Sequence, residues 1–167
     1  SYDESADLSE LANSKVTVVS AGVKSILDIG LTLERLETLG VPVVGFGTDE
    51  FPAFFTRSSG FRAPLRCDTA EEVAAMMKAQ DDLDLPGGIS VTAPVPEADA
   101  MQPEQIDAVI QQALGDADRQ GIRGKDITPY LLGRIVELTD GASLQTNIAL
   151  VRNNAVIGAD IARAFAS

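Results

Sequence analysis

The chain has 167 residues, 45% of them hydrophobic and 23% charged, a composition that predicts one soluble globular domain. Its 25 acidic and 13 basic residues give a formal charge of −12, which argues against a nucleic-acid backbone or an anionic membrane as partner. Histidine is absent and Cys67 is the single cysteine, which excludes a Ser–His or Cys–His pair, an imidazole metal ligand and an internal disulfide.

The single cysteine suits a reducing compartment, no apolar run reaches transmembrane length, and the first residues do not resemble a signal peptide. These three features predict a cytoplasmic protein. Aspartate, glutamate, lysine, hydroxyl and amide groups remain as the candidates for chemistry.

The first part of the chain alternates strand and helix signals. The β-branched run at 15–20 predicts a buried strand, and Gly22 permits a tight turn. A helix is predicted from Val23 to Leu39, with Gly40 as its C′ residue. A second strand at 41–47 then completes a parallel, right-handed β-α-β unit.

The rest of the chain opens with a loop-rich segment at 48–66 that holds four of the six phenylalanines. The alternatives for this segment are a wall of the site, an oligomer contact and a part of the core. Thr69 and Glu72 predict a capping box at a helix start, and Thr128-Pro129 predicts another helix start. The other predicted elements are a strand at 87–96 and helices ending near Ala79 and spanning Pro103–Arg119, 126–139 and 143–165. This alternation predicts an α/β layered fold in a single domain.

Lys24 follows the first strand, where the helix is predicted to begin. The helix dipole and partial burial both favour the neutral amine, so we expect its pKa to be lowered and activity to be lost below that pKa. A neutral lysine amine can form a Schiff base with a sugar aldehyde. The alternatives are a solvated surface lysine and a phosphate clamp at the helix N-terminus.

Two further groups of polar residues are candidates. Asp3 and Asp7, four residues apart, either share a hard cation such as Mg²⁺ or Mn²⁺ or belong to a frayed acidic terminus. Asn147 lies beside Leu144, Ile148 and Val151, an apolar stripe that we expect to be buried. Its amide then either caps a neighbouring loop or contacts a planar ligand such as a pyrimidine. Asn153-Asn154 predicts a local irregularity with no chemistry attached.

Four segments together carry a family resemblance. They are SADL (5–8), VVSAGVKSILDIG (18–30), GTDEFPAFFTRSSGF (47–61) and SLQTNIALVRNNA (143–155). In this order they closely resemble the pseudouridine-5′-phosphate glycosidase, or pseudouridylate synthase, family of the indigoidine-synthase-A-like fold. The resemblance implies a three-layer α/β/α subunit, a homotrimer, and reversible cleavage of the C–C glycosidic bond of pseudouridine 5′-phosphate into uracil and ribose 5-phosphate.

The resemblance also implies roles for particular residues. Lys24 matches the nucleophile that holds the opened ribose as an imine, and Asp3 matches the ligand of a divalent metal, typically Mn²⁺. Ser5, Ala6 and Asp7 match the segment that contacts the sugar phosphate, and Asn147 matches an asparagine that contacts uracil.

The resemblance covers the C-terminal half of the family alone. The other half carries the glutamate general acid and a phosphate-binding lysine, so we expect residues 1–167 to form a single α/β unit that is inactive without an N-terminal complement. Two alternatives stay open. One is a non-catalytic phosphosugar-binding or trimer-forming domain, and the other is an aldolase-like Schiff-base enzyme that acts on another phosphosugar.

Overall fold

In the computed structural model, residues 5–23 and 28–167 are described, without the side chain of Lys125. A four-stranded sheet with the order β1-β4-β2-β3 forms the centre of the fold, and every neighbouring pair of strands is parallel. Its strands are β1 (Thr17–Ser20), β2 (Val43–Phe46), β3 (Leu65–Cys67) and β4 (Ile89–Thr92).

Six α-helices are described: α1 (Ala6–Asn13), α2 (Ile29–Thr38), α3 (Ala70–Asp82), α4 (Pro103–Arg119), α5 (Ile127–Leu138) and α6 (Ala142–Ala166). Two short 3₁₀ turns lie at Glu97–Asp99 and Gly124–Asp126. Within the described residues, no helix combines the length and the apolarity that a membrane crossing requires.

Helices cover both faces of the sheet, because successive residues of β2 point to opposite sides. Val43 packs in a cluster with Leu36 of α2 and Leu8 of α1. Val44 packs in a different cluster with Val73 of α3 and Ile161 of α6. The predicted three-layer α/β/α architecture is therefore confirmed.

Local capping signals set several of the helix boundaries. The predicted capping box opens α3, since Thr69 Oγ1 accepts from Glu72 N at 3.2 Å and Glu72 Oε2 accepts from Thr69 N at 3.2 Å. Gly40 is the predicted C′ residue of α2, with φ +70°. There the amide of Val41 donates to Leu36 O at 3.0 Å, which completes a Schellman motif.

Two predictions about the elements need correction. The predicted helix start at Val23 is wrong, because α2 begins at Ile29 with Asp28 as its N-cap. The first and second predicted strands are parallel, as predicted, and β4 lies between them. Asn153-Asn154 causes no irregularity, because α6 runs through both residues without a break. Two elements, α1 and β3, were not predicted at all.

The predicted burial of the apolar residues Leu144, Ile148 and Val151 of α6 is also wrong. Leu144, Ile148 and Val151 are 44%, 39% and 57% exposed. The buried face of α6 consists instead of Ser143, Thr146, Leu150 and Ile161. The periodicity correctly predicted the helix, but it selected an apolar face that the described residues leave uncovered.

Helices α4 and α5 form a hairpin with its own core. Ile106, Ala113 and Ile135 are buried there, and Phe55 from the 48–66 segment packs into the same cluster. The ring of Phe54 meets the ring of Phe55 edge-on at a centroid distance of 4.8 Å. Phe55 therefore joins the hairpin to the carboxyl end of the sheet.

Candidate functional site

The chain makes a sharp turn directly after β1. Gly22 has a φ of +84°, and a Cβ built there would lie 1.9 Å from the backbone oxygen of Pro52. Only glycine fits this combination of a left-handed backbone and close contact. In open parallel sheets, ligands bind in the crevice at the carboxyl ends of the strands, and this turn lies at that edge.

The 48–66 segment closes over this edge. The amide of Phe54 donates to Ala21 O at 3.0 Å, and Gly22 forms an antiparallel bridge with Ala53. Phe51 and Phe55 are buried at 2% and 3% exposure. The segment therefore fills the core at this edge of the sheet, which was one of the three roles predicted for it.

Helix α1 brings the SADL segment to the same edge. The amide of Gly88, just before β4, donates to Leu11 O at 2.7 Å, so the C-terminal part of α1 lies at the amino end of the sheet. The first turn of α1 therefore points to the carboxyl end. There Leu8 and Val23 both pack against the cluster that contains Phe51. Val23 is the direct sequence neighbour of Lys24.

Residues Ser5, Ala6 and Asp7 form the start of α1, and all three are exposed. Ser5 is the N-cap, and its Oγ accepts from the amide of Asp7 at 3.3 Å. From Ser5 onward the segment is an ordered helix start. The frayed-terminus alternative also concerned Asp3, which lies outside the described residues. A helix N-terminus offers backbone amides of the kind that bind phosphate.

Helix α6 reaches the same crevice from the other face. Leu150 forms a small buried cluster with Ala21 and Val95, and Thr146 Oγ1 donates to Asp99 O at 2.8 Å. Asn147 is partly buried one turn before Leu150. Among the described residues, no hydrogen-bond partner is found for its side-chain amide, so the loop-capping alternative gains no support.

Lys24 and Asp3 lie outside the described residues, so their predicted roles stay predictions. One argument for a lowered pKa of Lys24 no longer holds. The dipole of α2 was expected to act on Lys24, but α2 begins at Ile29. Within residues 5–23 and 28–167, no group of three or more cysteine, aspartate or glutamate side chains is placed to hold a metal ion.

Asn154 is a polar residue of α6 that sequence reasoning did not select. Its Oδ1 is buried without a hydrogen-bond partner in the described part of the chain. It lies seven residues after Asn147, on nearly the same side of the helix. That spacing was readable in the sequence and is the signal that could have identified it.

Replacing Asn154 with leucine should raise the free energy of unfolding of the chain by about 1 kcal/mol, because the change removes a buried acceptor for which the described residues provide no donor. Urea unfolding followed by circular dichroism measures this change. Asn153→Leu is the matched control, since Asn153 Nδ2 donates to Pro94 O at 3.4 Å and its loss should not stabilise the chain. A loss of stability in Asn154→Leu would show that its Oδ1 has a donor.

A second concave region lies between α4 and α5, around the buried carboxylate of Asp116. Arg134 Nε donates to Asp116 Oδ2 at 2.7 Å, and Arg119 pairs with Asp116 Oδ1. Arg134 also pairs with Glu137 at 2.7 Å. These charges satisfy one another, so we interpret the cluster as structural and do not assign it to the candidate site.

The ion pairs of Asp116 predict a pH-dependent stability. The hydrogen bond from Arg134, together with the charges of Arg134 and Arg119, lowers the pKa of Asp116. Stability from a lowered pKa is complete above the unfolded-state pKa of about 3.9 and is lost as the pH falls through the folded-state pKa. Asp116→Asn should therefore unfold at lower urea concentration than wild type at pH 7, and this difference should shrink below about pH 4.

Asp118→Asn is the control for this prediction. Asp118 lies on the same helix, but its pair with Arg123 is exposed, and exposed pairs contribute little to stability. Equal effects of the two substitutions at pH 7, or a difference between wild type and Asp116→Asn that is constant with pH, would contradict the assignment.

Cys67 is a poor candidate for a nucleophile. It ends β3, and burial, Glu72 and Asp68 all raise the pKa of its thiol. A thiol with a raised pKa stays protonated at neutral pH and is a poor nucleophile.

Comparison with known proteins identifies the family. The family model described as indigoidine synthase A like protein matches residues 1–164. This chain belongs to that family. The match covers all four segments on which the resemblance was based, and it includes Lys24 and Asp3.

Relatives in the family carry a specific name. The pseudouridine-5′-phosphate glycosidase of Nocardioides sp. strain JS614 is 63% identical over 99% of this chain and 54% of its own length. That of Deinococcus radiodurans is 57% identical over 98% of this chain and 52% of its own length. The chain thus spans about half the length of the curated relatives it matches.

Solved structures agree with the family assignment. Prealnumycin C-glycosynthase AlnA, determined in complex with ribulose 5-phosphate, superposes with a TM-score of 0.89 at 35% identity, over 98% of this chain and 54% of that one. An indigoidine synthase A-like protein from Thermotoga maritima gives a TM-score of 0.86 at 38% identity, over 96% and 53%.

Proposed function

We propose that this chain supplies the sugar-binding and nucleophilic part of a pseudouridine-5′-phosphate glycosidase. In this proposal Lys24 forms a Schiff base with the opened ribose, and the products are uracil and ribose 5-phosphate. Relatives at 63% and 57% identity carry this name, which supports the substrate. Pseudouridine 5′-phosphate and the ribulose 5-phosphate bound to AlnA both contain a five-carbon sugar phosphate.

The observation that carries the proposal is the position of residues 21–23. Ala21 packs with Leu150 of α6, one turn from Asn147, and Val23 packs in the cluster that holds Leu8 of α1. Residues 21–23 therefore lie between the start of α1, which contains the SADL segment, and the turn of α6 that contains Asn147. In this proposal the Lys24 amine reaches a sugar whose phosphate contacts the start of α1 and whose base contacts Asn147.

Cleavage of the C–C glycosidic bond in this proposal needs a neutral amine, which a lysine side chain can supply. The neutral Lys24 amine forms a bond to C1′ as the bond from C1′ to the ring oxygen breaks, and that oxygen takes a proton. The nitrogen lone pair then forms the imine while the C–C bond to uracil breaks, and the uracil carbon takes a proton. Water hydrolyses the imine, which returns the amine and releases ribose 5-phosphate.

The other chain positions have supporting roles in this proposal. The segment Ser5, Ala6 and Asp7 contacts the sugar phosphate at the start of α1, where the helix dipole favours an anion. Asn147 contacts the polar edge of uracil. Asp3 binds a divalent cation, with Mn²⁺ as the proposed metal, and no step above runs through that cation.

The half of the family fold that this chain does not span completes the enzyme in this proposal. It would supply the general acid that delivers the proton to uracil, and the assembled enzyme would be a homotrimer. Residues 1–167 alone should then bind or trap the sugar weakly and release no uracil. Light scattering of the complemented protein measures the subunit number.

The test joins this chain to the part of the Nocardioides relative that it does not match. With ribose 5-phosphate and borohydride, the joined protein should acquire a pentose-phosphate adduct on the peptide that contains Lys24. With pseudouridine 5′-phosphate it should release uracil. Asn147→Ala should keep the adduct and lose uracil release, because its proposed contact is to the base.

Each outcome of the test has a defined meaning. An adduct on another residue, or none, refutes the Schiff base at Lys24. Cleavage of phosphosugars that lack uracil, unaffected by Asn147→Ala, would indicate an aldolase-like enzyme. Binding of ribose 5-phosphate without adduct or turnover would indicate a non-catalytic phosphosugar-binding domain.

A further inference from the structure

The 48–66 segment contains a strained turn at the carboxyl end of the sheet. Phe54 has a φ of +65°, a left-handed backbone that is uncommon for residues other than glycine and strained for a bulky side chain. The amide of Ala53 closes the turn by donating to Thr56 O at 3.2 Å. Strained backbone of this kind persists only where neighbouring contacts enforce it, and it is concentrated at functional sites.

Contacts at the crevice enforce the conformation of Phe54. Its amide donates to Ala21 O at 3.0 Å, and its ring packs against the buried cluster of Ala21, Val95 and Leu150. Ala21 follows β1 and Val95 follows β4, so this cluster lies at the carboxyl ends of two neighbouring strands. The strained turn therefore brings the residues that follow Phe54 to the edge where parallel sheets bind ligands.

Arg57 is the first charged residue after this turn, and one of its donors is fixed at the same place. Its Nη1 donates to Val95 O at 2.6 Å, although the residue is exposed. An arginine side chain carries five N–H donors, and no further acceptor for those of Arg57 is found among the described residues. Arg66 differs, because it pairs with Asp49 at 2.6 Å and with Asp68 at 2.8 Å. The guanidinium of Arg57 is therefore held in position with donors left for a ligand.

Arg57 lies on the side of the crevice that holds Asn147. Its acceptor residue, Val95, clusters with Leu150, which is one turn from Asn147 on α6. The start of α1 belongs to the other face of the sheet, where Leu8 packs in a separate cluster. In the proposed function the sugar phosphate contacts the start of α1 and the base contacts Asn147. The position of Arg57 therefore favours the base over the phosphate as its ligand.

We propose that Arg57 is a further substrate-binding residue, which donates to a carbonyl oxygen of uracil beside Asn147. A hydrogen bond from a charged donor is stronger than one between neutral groups. The bond to Val95 O holds the guanidinium in place before the base arrives, so less side-chain freedom is lost on binding. This inference rests on the proposed function, because it adds a contact to the same substrate.

The test measures base binding and sugar binding separately in the protein joined to the Nocardioides segment. In the direction of synthesis, uracil and ribose 5-phosphate are separate substrates. Arg57→Ala should raise the KM for uracil by about 10- to 100-fold, the range expected for loss of a hydrogen bond from a charged donor. The ribose 5-phosphate concentration that gives half-maximal borohydride labelling of Lys24 should stay unchanged, because labelling needs no base.

Two further variants separate the contact from its surroundings. Arg57→Gln keeps an amide donor for Val95 O but removes the charge, so it should retain labelling and raise the KM for uracil. Arg62→Ala is the matched control, because Arg62 is an exposed arginine of the same segment whose backbone forms a bridge with Glu50. It should change neither quantity. Loss of labelling in both Arg57 variants would assign Arg57 to the structure of the segment and overturn the proposal.

Calorimetry of uracil binding in the presence of ribose 5-phosphate separates this inference from the proposed function. A wild type that binds uracil more tightly than Arg57→Ala but releases none from pseudouridine 5′-phosphate would refute the proposed function and support the contact. A wild type that releases uracil, with the same uracil affinity as Arg57→Ala, would refute the contact alone. Weaker binding of ribose 5-phosphate with an unchanged KM for uracil would assign Arg57 to the phosphate and overturn the proposal. A wild type that does not bind uracil would refute both.

Discussion

Lys24→Ala should reduce uracil release by the complemented enzyme by about 10³-fold or more and should abolish borohydride labelling with ribose 5-phosphate. The physical reason is that cleavage of a C–C glycosidic bond needs a nitrogen lone pair to expel the uracil carbon, and alanine has none. Uracil release is followed by ultraviolet absorbance, and labelling is followed by peptide mass spectrometry.

Two controls distinguish a nucleophile from a charge. Lys24→Arg keeps the positive charge but cannot form the imine under these conditions, so it should be as inactive as Lys24→Ala. Lys78→Ala removes an exposed lysine from α3 and should leave both rate and labelling unchanged. Substantial activity in Lys24→Arg would indicate that Lys24 acts as a phosphate clamp, the alternative that the sequence left open.

Local sequence signals predicted the elements of this fold well. The capping box at Thr69, the C′ glycine at Gly40 and the proline at the start of α4 each act over a few residues. Their physical cause, a hydrogen bond or a backbone angle, is contained in the segment itself. The predicted span Pro103–Arg119 coincides with α4 for this reason.

The errors and omissions concern interactions between distant segments. The position of β4 between β1 and β2 depends on a chain segment more than forty residues later, which no local pattern encodes. Periodicity identified an apolar stripe on α6 but could not tell whether anything covers it. Helix α1 was missed because Leu8 and Leu11 give a weak signal until they pack against Leu36 and Val41.

The candidate site was predicted in part for the same reason. Residue chemistry and spacing selected Lys24, Asp7 and Asn147 as candidates, and the family resemblance added Ser5 and Ala6 and gave each residue a role. The structure adds that the residues around these positions converge at the carboxyl end of the sheet. The roles of Lys24 and Asp3 stay predictions, because both residues lie outside the described part of the chain.

Gly22→Ala should be the most damaging small substitution in the described part of the candidate site. The added Cβ would lie 1.9 Å from Pro52 O on a backbone with φ +84°, so the turn after β1 must move. We expect a loss of about 3 kcal/mol or more in the free energy of unfolding, from left-handed strain plus the displaced segment. Because Lys24 follows two residues later, uracil release should also fall, by about 100-fold for a shift of about 1 Å.

Gly40→Ala separates strain from contact. Gly40 has a similar φ of +70°, but no atom lies within 4 Å of a Cβ built there. This control should therefore cost about 1–2 kcal/mol and leave the turnover of the folded enzyme unchanged. Urea unfolding and borohydride labelling of both variants measure the two effects. Equal destabilisation by the two substitutions would mean that the segment around Pro52 moves away from the new Cβ with no loss of free energy. Normal labelling of Gly22→Ala would mean that the turn after β1 does not position Lys24.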